Sequence, residues 1–411
     1  MDFSTLHIKR FRDLWLGQTV SQVGDGFYYI LFMFMVNQIT HSSAIVGIVG
    51  ALEAVPFLLF GGYAGVLADR LDRRKIMLWS DLISGTTLLI FALIVLTCRQ
   101  PPLWSLLAMP FLLSTTRSAF TPAKSASIPS LVPEEMVVKA NAMSNLSFTA
   151  TQMIGLSATA VVVSALYQLP QTVFYVVSIG LNALSFFASA VFISRLPKLL
   201  PDRGHAQPSR PWEDFKEGLR YIRGRRDLII LTASSSCVRL MISPFFVVYL
   251  AVNTAWFGGK PQLLAWMEFA FFAGMVVGTL GMTRARVLRP MVWYVYGITI
   301  VGACVMLMAF AKLFWFFVAL NVIGGVALPM VDVPTPAFVQ LTVPDSFRGR
   351  VNSVKEMIAN GLTPVGIALG GLVVQQYGFV ASFLLMGLGM IIPSWIAALD
   401  PSFIGAKMPA G

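Results

Sequence analysis

Apolar residues along this chain gather in runs far longer than one face of a soluble helix requires. Stretches of about twenty mainly apolar positions carry an α-helix across the hydrocarbon of a bilayer. Such runs fall near 14–36, 44–68, 76–97, 103–120, 142–167, 171–194, 228–252, 263–283, 291–311, 314–331, 351–375 and 380–398. Together they predict an all-α membrane protein of twelve spans. The fourth and tenth are the least defined, since each is short and runs into a Pro-containing stretch. Gly and Pro recur inside the runs, as transmembrane helices tolerate better than soluble ones.

The polar residues between the runs alternate in charge. With the N-terminus inside, the loops assigned to the cytoplasm hold Lys9, Arg10 and Arg12, then Arg70, Arg73, Arg74 and Lys75, then Arg117, Lys124 and Lys139. A central loop adds Arg195, Lys198, Arg203, Arg210, Lys216, Arg220, Arg223, Arg225 and Arg226. Arg284, Arg286, Arg289, Arg348, Arg350, Lys355 and Lys407 complete the set, while Arg99, Lys260 and Lys312 alone fall outside and Arg239 lies within a span. An excess of Lys and Arg marks the cytoplasmic side, so both termini are expected inside a cytoplasmic membrane.

Composition narrows the function. Only 12% of the residues are charged and 56% are hydrophobic, against roughly 25% charged in soluble domains, so too few charges exist to coat a water-soluble surface. The net charge of +11 is split into short loop clusters with no nucleic-acid fold motif, which argues for orientation signals and against a nucleic-acid partner. Cys98, Cys237 and Cys304 are far apart and lack metal spacing, so neither a disulfide framework nor a metal site is expected. The first apolar run is long and has no small-residue cleavage site after it, unlike a signal peptide.

The longest loop divides the chain into a six-helix bundle over 1–194, a linker over 195–227 and a second six-helix bundle over 228–411. Pro211 at a first-turn position, Glu213 and Asp214 after it, and Arg220 and Arg223 before Gly224 predict a linker helix. Trp212, Phe215, Leu219 and Ile222 share one face, which suits either a membrane surface or a plain connector. The halves repeat. Val132-Pro133-Glu134 recurs as Val343-Pro344-Asp345, Lys139 as Arg350, Asn141 as Asn352 and Gly155 as Gly366, each 211 residues on. Internal repeats of this kind build many secondary transporters.

The second loop, Gly65-Val66-Leu67-Ala68-Asp69-Arg70-Leu71-Asp72-Arg73-Arg74-Lys75, resembles the motif between the second and third helices of the major facilitator superfamily. In physical terms Gly65 would let helices approach closely, and Asp69 could cap a helix N-terminus or pair with Arg73. Asp72 stands where the general pattern has Gly. The macrolide-efflux and enterobactin-exporter branch commonly has Asp there. Phe11 to Gln18 with Ser21 to Asp25, Pro122 to Ala142, and Asp345 to Asn352 are similar to the same branch. The resemblance implies two pseudo-symmetric six-helix bundles, and proton-coupled efflux of a drug, macrolide or siderophore with the motif loop as cytoplasmic gate. One departure is notable. Gly155-Leu156-Ser157-Ala158 lacks the proline of the family's antiporter motif, while the eleventh helix keeps Pro364, Gly366, Gly370 and Gly371, expected to pack helices. This places proton antiport in doubt, not transport.

Ionisable groups inside a span are expensive and usually face a bundle interior or a wet cavity. Asp25 and Glu53 lie deep in the first and second spans and are the candidates for proton coupling, though either could cap a broken helix. Arg239 in the seventh and Glu268 in the outer part of the eighth are candidates for substrate contact or charge pairing, with Arg239 a possible counter-ion to the acids. Arg117, Asp81 and Asp332 are placed at cytoplasmic ends as interface, gate or cap residues. His7, His41 and His205 have no nucleophile or ligand beside them, and Gly61-Gly62 lacks the Lys-Ser/Thr of a phosphate loop. No enzyme, ATP site, metal or cofactor is implied. The expected partners are a small-molecule substrate, the proton and the lipid bilayer, with the chain a monomer. An importer or facilitator of a lipid-like or nutrient solute, and a non-transporting sensor or scaffold of the same fold, stay open.

Overall fold

The computed structural model describes residues 4–68, 70–98, 100–137, 139–141, 143, 144, 147, 151, 169–200, 211–284 and 289–405. Of Gly62, Val66, Pro211, Trp212, Asp214, Thr283, Asp345 and Ser346 it describes the backbone alone. Among the described residues there is no strand, and eight helical stretches are long and apolar enough to cross a membrane. The chain divides into two compact units, one of Met1–His41 with Ile48–Ala206, the other of Ser42–Gly47 with Gln207–Gly411.

The first unit holds α1 (Lys9–Thr40), α2 (Ser43–Ala68, whose first residues group with the second unit), α3 (Arg73–Thr97), α4 (Leu103–Leu131) and α5 (Gln171–Ser194). α5 packs along both α1 and α3, and α4 lies beside α3. Phe11, Leu14, Met77, Ala123, Ile128, Leu131, Ile193 and Leu196 form one apolar core where these helices meet the basic loop. The predicted fifth span, 142–167, falls almost wholly outside the described residues, and Gly155 with it. Its described positions form a polar seam with α1. Trp15 Nε1 donates to Ser147 Oγ at 2.6 Å, Gln18 Nε2 to Ser144 Oγ at 3.3 Å and Thr151 Oγ1 to Gln22 Oε1 at 3.1 Å. Steps of three and four residues on both sides keep these groups on one face.

α4 corrects the fourth predicted span. It runs on through Pro110, Pro122 and Pro129 to Leu131 instead of ending near residue 120. A proline inside a helix removes one N–H, a loss that membrane-spanning helices tolerate better than soluble ones. Arg117 therefore sits at mid-helix, not at a cytoplasmic end, and Lys124 is also helical.

The second unit contains α6 (Pro211–Arg223), α7 (Arg226–Ile242), α8 (Phe245–Trp256), α9 (Pro261–Arg284), α10 (Pro290–Met308), α11 (Phe314–Ala327), α12 (Pro329–Asp332), α13 (Pro334–Thr342), α14 (Asp345–Ala398) and α15 (Pro401–Ile404). α7 and α8 form one apolar stretch broken at Ser243-Pro244. α14 runs against that break. A Cβ on Gly366 would strike the Leu240 carbonyl and the Ser243 hydroxyl, and one on Gly370 would strike the Pro244 ring. Pro364 lies inside the same helix. At Gly378 a φ of 78° interrupts α14, a conformation cheap only for glycine, and this separates the two last predicted spans.

Two further expectations change. The tenth span extends past residue 331 as α11, α12 and α13, an apolar stretch reaching Thr342, so Asp332 lies inside it. The linker helix α6 turns part of its apolar face to α14 instead of to a membrane surface. Ile222 is buried, Tyr221 stacks on Phe347 at 4.8 Å, and Glu217 pairs with Arg350 at 3.0 Å.

Candidate functional site

The first unit assembles a charged group from three helices. Asp25 is carried by α1, Glu53 by α2 and Arg117 by α4. Arg117 Nη2 makes a short ion pair with Asp25 Oδ2, and its Nη1 donates to Glu53 Oε1 at 3.4 Å. One guanidinium thus bridges two carboxylates. The side chains of Arg117, Glu53 and Asp25 are 43%, 32% and 19% exposed, so the group is not sealed in the core.

Local structure fixes this placement. Pro56, three residues after Glu53 within α2, withholds an N–H and loosens the turn before it. Ser114 Oγ of α4 donates to the Glu53 carbonyl oxygen at that point, tying α4 to α2 one turn before Arg117. Thr116 Oγ1 and Ser84 Oγ share a 2.6 Å hydrogen bond, tying α4 to α3. A lone charge at mid-bilayer costs about 3 kcal/mol on insertion scales. The bridge offsets this cost by giving both acids a common cation. That cation is not Arg239, as the sequence suggested. Arg117 was legible as a basic residue, but its depth was hidden behind Pro122.

The motif loop lies at the end of the same unit. Asp72 caps α3, its Oδ1 accepting from Arg74 N at 3.1 Å and from Leu199 N at 3.0 Å. Arg73 reaches the carbonyls of Ala68 at 3.0 Å and Ala126 at 2.7 Å, and Arg74 that of Ser194 at 2.5 Å. The loop is thereby bound to the ends of α2, α4 and α5. Asp69 lies outside the described residues, and Arg70 is exposed. No described atom lies within 4 Å of where a Cβ on Gly65 would stand, so the close approach expected there is not made within the described residues.

In the second unit Arg239 Nη2 donates to Asn360 Oδ1 at 3.3 Å. Asp332 stands within electrostatic range of Arg239, Lys355 and Glu356. Lys355, assigned by sequence to a loop, is a buried residue of α14 at 6% exposure. Glu268 of α9 stands near Tyr249, whose hydroxyl pairs with Asn321. Asp81 is buried inside the first unit at 3% exposure, a third of the way along α3. Among the described residues no cluster of His, Cys, Asp and Glu is suited to a metal ion.

Comparison with known proteins places the chain among membrane transporters. A family model described as transmembrane secretion effector matches residues 1–401. Macrolide efflux protein A of Streptococcus pyogenes is 26% identical over 390 residues, 92% of each chain. The putative bacilysin exporter BacE of Bacillus subtilis (strain 168) is 26% identical over 347 residues, covering 83% of this chain and 82% of its own. Among solved structures, the nucleoside transporter NupG superposes with a TM-score of 0.74 at 13% identity, covering 95% of this chain and 98% of NupG. A bacterial homologue of the iron transporter ferroportin in its inward-facing state gives 0.69 at 16% identity, covering 96% and 100%. At such identities these two speak for the fold alone.

Proposed function

The chain belongs to the transmembrane secretion effector family, membrane transporters of the major facilitator fold and not enzymes, and we propose that it exports an amphipathic small molecule in exchange for protons. The observation that carries this reading is the Arg117 bridge between Asp25 and Glu53. With both acids ionised the group holds two negative charges and one positive. A proton, or a substrate bearing a basic amine, complements the surplus negative charge, and the two compete for the same oxygens. Glu53 is held at 3.4 Å and is the more exposed acid, so it is the one that leaves Arg117 to take either cation. Exchange then follows from competition at one site, with alternating access delivering it to opposite sides of the membrane. The efflux names of the relatives support the direction and favour macrolides as first probes.

In proteoliposomes with an imposed pH gradient, the wild type should concentrate erythromycin in the compartment from which protons leave. Glu53→Gln and Arg117→Gln should fall to the level of empty liposomes under the gradient, with expression unchanged. Accumulation in the opposite sense would make the chain an importer. Full gradient-driven accumulation by both variants would remove the bridge from the mechanism.

A further inference from the structure

A second acid of the first unit is built differently from the bridged pair. Asp81 of α3 is 3% exposed, and among the described residues its Oδ2 has no hydrogen-bond partner. Against it lies Ser189 of α5, wholly buried, whose Oγ is likewise unpartnered. The pocket closes from α1, where a Cβ on Gly17 would stand 3.2 Å from Ser189 Oγ. One turn along α3, a Cβ on Gly85 would stand 2.9 Å from the Phe187 ring of α5. Helices α1, α3 and α5 thus enclose two facing orphan oxygens in a closely packed interior.

The charges around the pocket are few. Between Gln171 and Ser194, α5 carries no acid or base apart from Tyr175, near its far end. From α4 the charged groups are Arg117, already engaged by both Asp25 and Glu53, and Lys124. α1 contributes Asp25, whose charge acts on Asp81, and Asp13 one turn before Gly17. On α3 itself Arg73, Arg74 and Lys75 lie at the helix start, with Arg73 and Arg74 turned to the carbonyls of Ala68, Ala126 and Ser194. No ion pair to Asp81 is made among the described residues.

Buried polar atoms are almost always hydrogen-bonded, and an orphan needs a physical reason. A bare carboxylate is an acceptor only, whereas a protonated one carries an O–H. From this we propose that Asp81 is a proton-binding site of the first unit, its protonated Oδ2–H donating to Ser189 Oγ. Ser189 could donate its own O–H to an ionised Asp81, so what the proton adds is the removal of an unpaired charge from an apolar interior. When that proton leaves, Asp81 and Asp25 become like charges in one bundle, which weakens the arrangement Asp25 makes with Arg117. The role of Asp81 as a step in coupling rests on the proton-exchange reading above. The proton site itself does not.

The test is infrared difference spectroscopy of the full-length purified protein through a pH titration, in H₂O and D₂O. The wild type should show the carbonyl band of a buried carboxylic acid that disappears at high pH and shifts in D₂O. Asp81→Asn should lose that band, and Ser189→Ala should keep it at higher frequency, since the carbonyl is freed when the acid's hydrogen bond is lost. Asp81→Glu, which preserves an acid, should retain a displaced band and serves where the Asn variant does not fold. A titrating band unchanged in both Asp81 variants overturns the proposal. An Asp81 band in a protein that shows no gradient-driven transport upholds the site and sinks the exchange reading. Gradient-driven transport with no change on Asp81 substitution leaves coupling with Asp25 and Glu53 alone, and overturns any part for Asp81 in it.

Discussion

Asp400 shows how a single side chain can close one end of a unit. Its Oδ1 accepts from Ser402 N at 2.9 Å and from Ser402 Oγ at 2.6 Å, capping α15, while Arg226 Nε at the start of α7 reaches Oδ2 at 2.6 Å. The Ser402 hydroxyl and backbone N–H, with Arg226 behind them, hold the carboxyl below its ordinary range. A carboxyl depressed in the folded state stabilises that state above its unfolded value, and the contribution is lost as pH falls through the folded value. Asp400→Asn should therefore unfold at a lower temperature than wild type near neutrality. In acid below the folded-state value, where the carboxyl is protonated in folded and unfolded chains alike, the two should coincide. Thermal unfolding of the detergent-purified pair at both pH values decides it; a gap that persists in acid would assign the loss to packing and not to charge.

Two glycines that read alike in the sequence differ at the level of the helices that carry them. Gly65 in α2 and Gly366 in α14 were both expected to admit a neighbouring helix. At Gly366 a Cβ would meet the Leu240 carbonyl, a backbone atom that cannot swing aside, whereas at Gly65 it would meet nothing described. Gly366→Ala should cost about 1–3 kcal/mol, as overpacking does. Gly65→Ala should gain roughly 0.5–1 kcal/mol from the lower backbone freedom of the unfolded chain. Opposite shifts in unfolding temperature are expected, and equal shifts would mean that α14 does not press on the α7–α8 break as drawn. The same contrast shows how far a linear reading reaches. Apolar run length sufficed for α3, α5, α9 and α10, because each run is bounded by polar loops. It failed at α4, where Pro122 read as a terminator but lies inside the helix, and at Pro329 and Pro334, where the apolar stretch continues in short pieces. Asp25 and Glu53 were legible as acids in apolar runs. Their shared cation and the burial of Asp81 and Lys355 were not, because both depend on which helices become neighbours, and single-chain periodicity carries no such information.

For the molecule as a whole, the distribution of charge sets the direction of insertion. The chain is a multi-pass membrane protein, and the proposed orientation puts both termini and the central linker in the cytoplasm. Arg117, Lys124 and Lys355 no longer count towards that orientation, since each lies well inside a helix and away from its ends. The remaining contrast is still one-sided. Lys9, Arg10 and Arg12, the Arg70–Lys75 cluster, the linker arginines, and Arg348 with Arg350 lie on the side assigned inside, against Arg99, Lys260 and Lys312 on the other. Lys and Arg near span ends resist translocation, and short loops obey this most closely. Fusions that are fluorescent only in the cytoplasm should light up after His205, in the linker, and after Gly411. Fusions of a phosphatase active only outside should report after Arg99, Gly259 and Lys312. Because loops alternate sides, one miscounted span would invert every reporter beyond it. Phosphatase activity at His205 would place an odd number of crossings in the first unit, and with it would fall the assignment of the undescribed stretch between 152 and 168 to a fifth span.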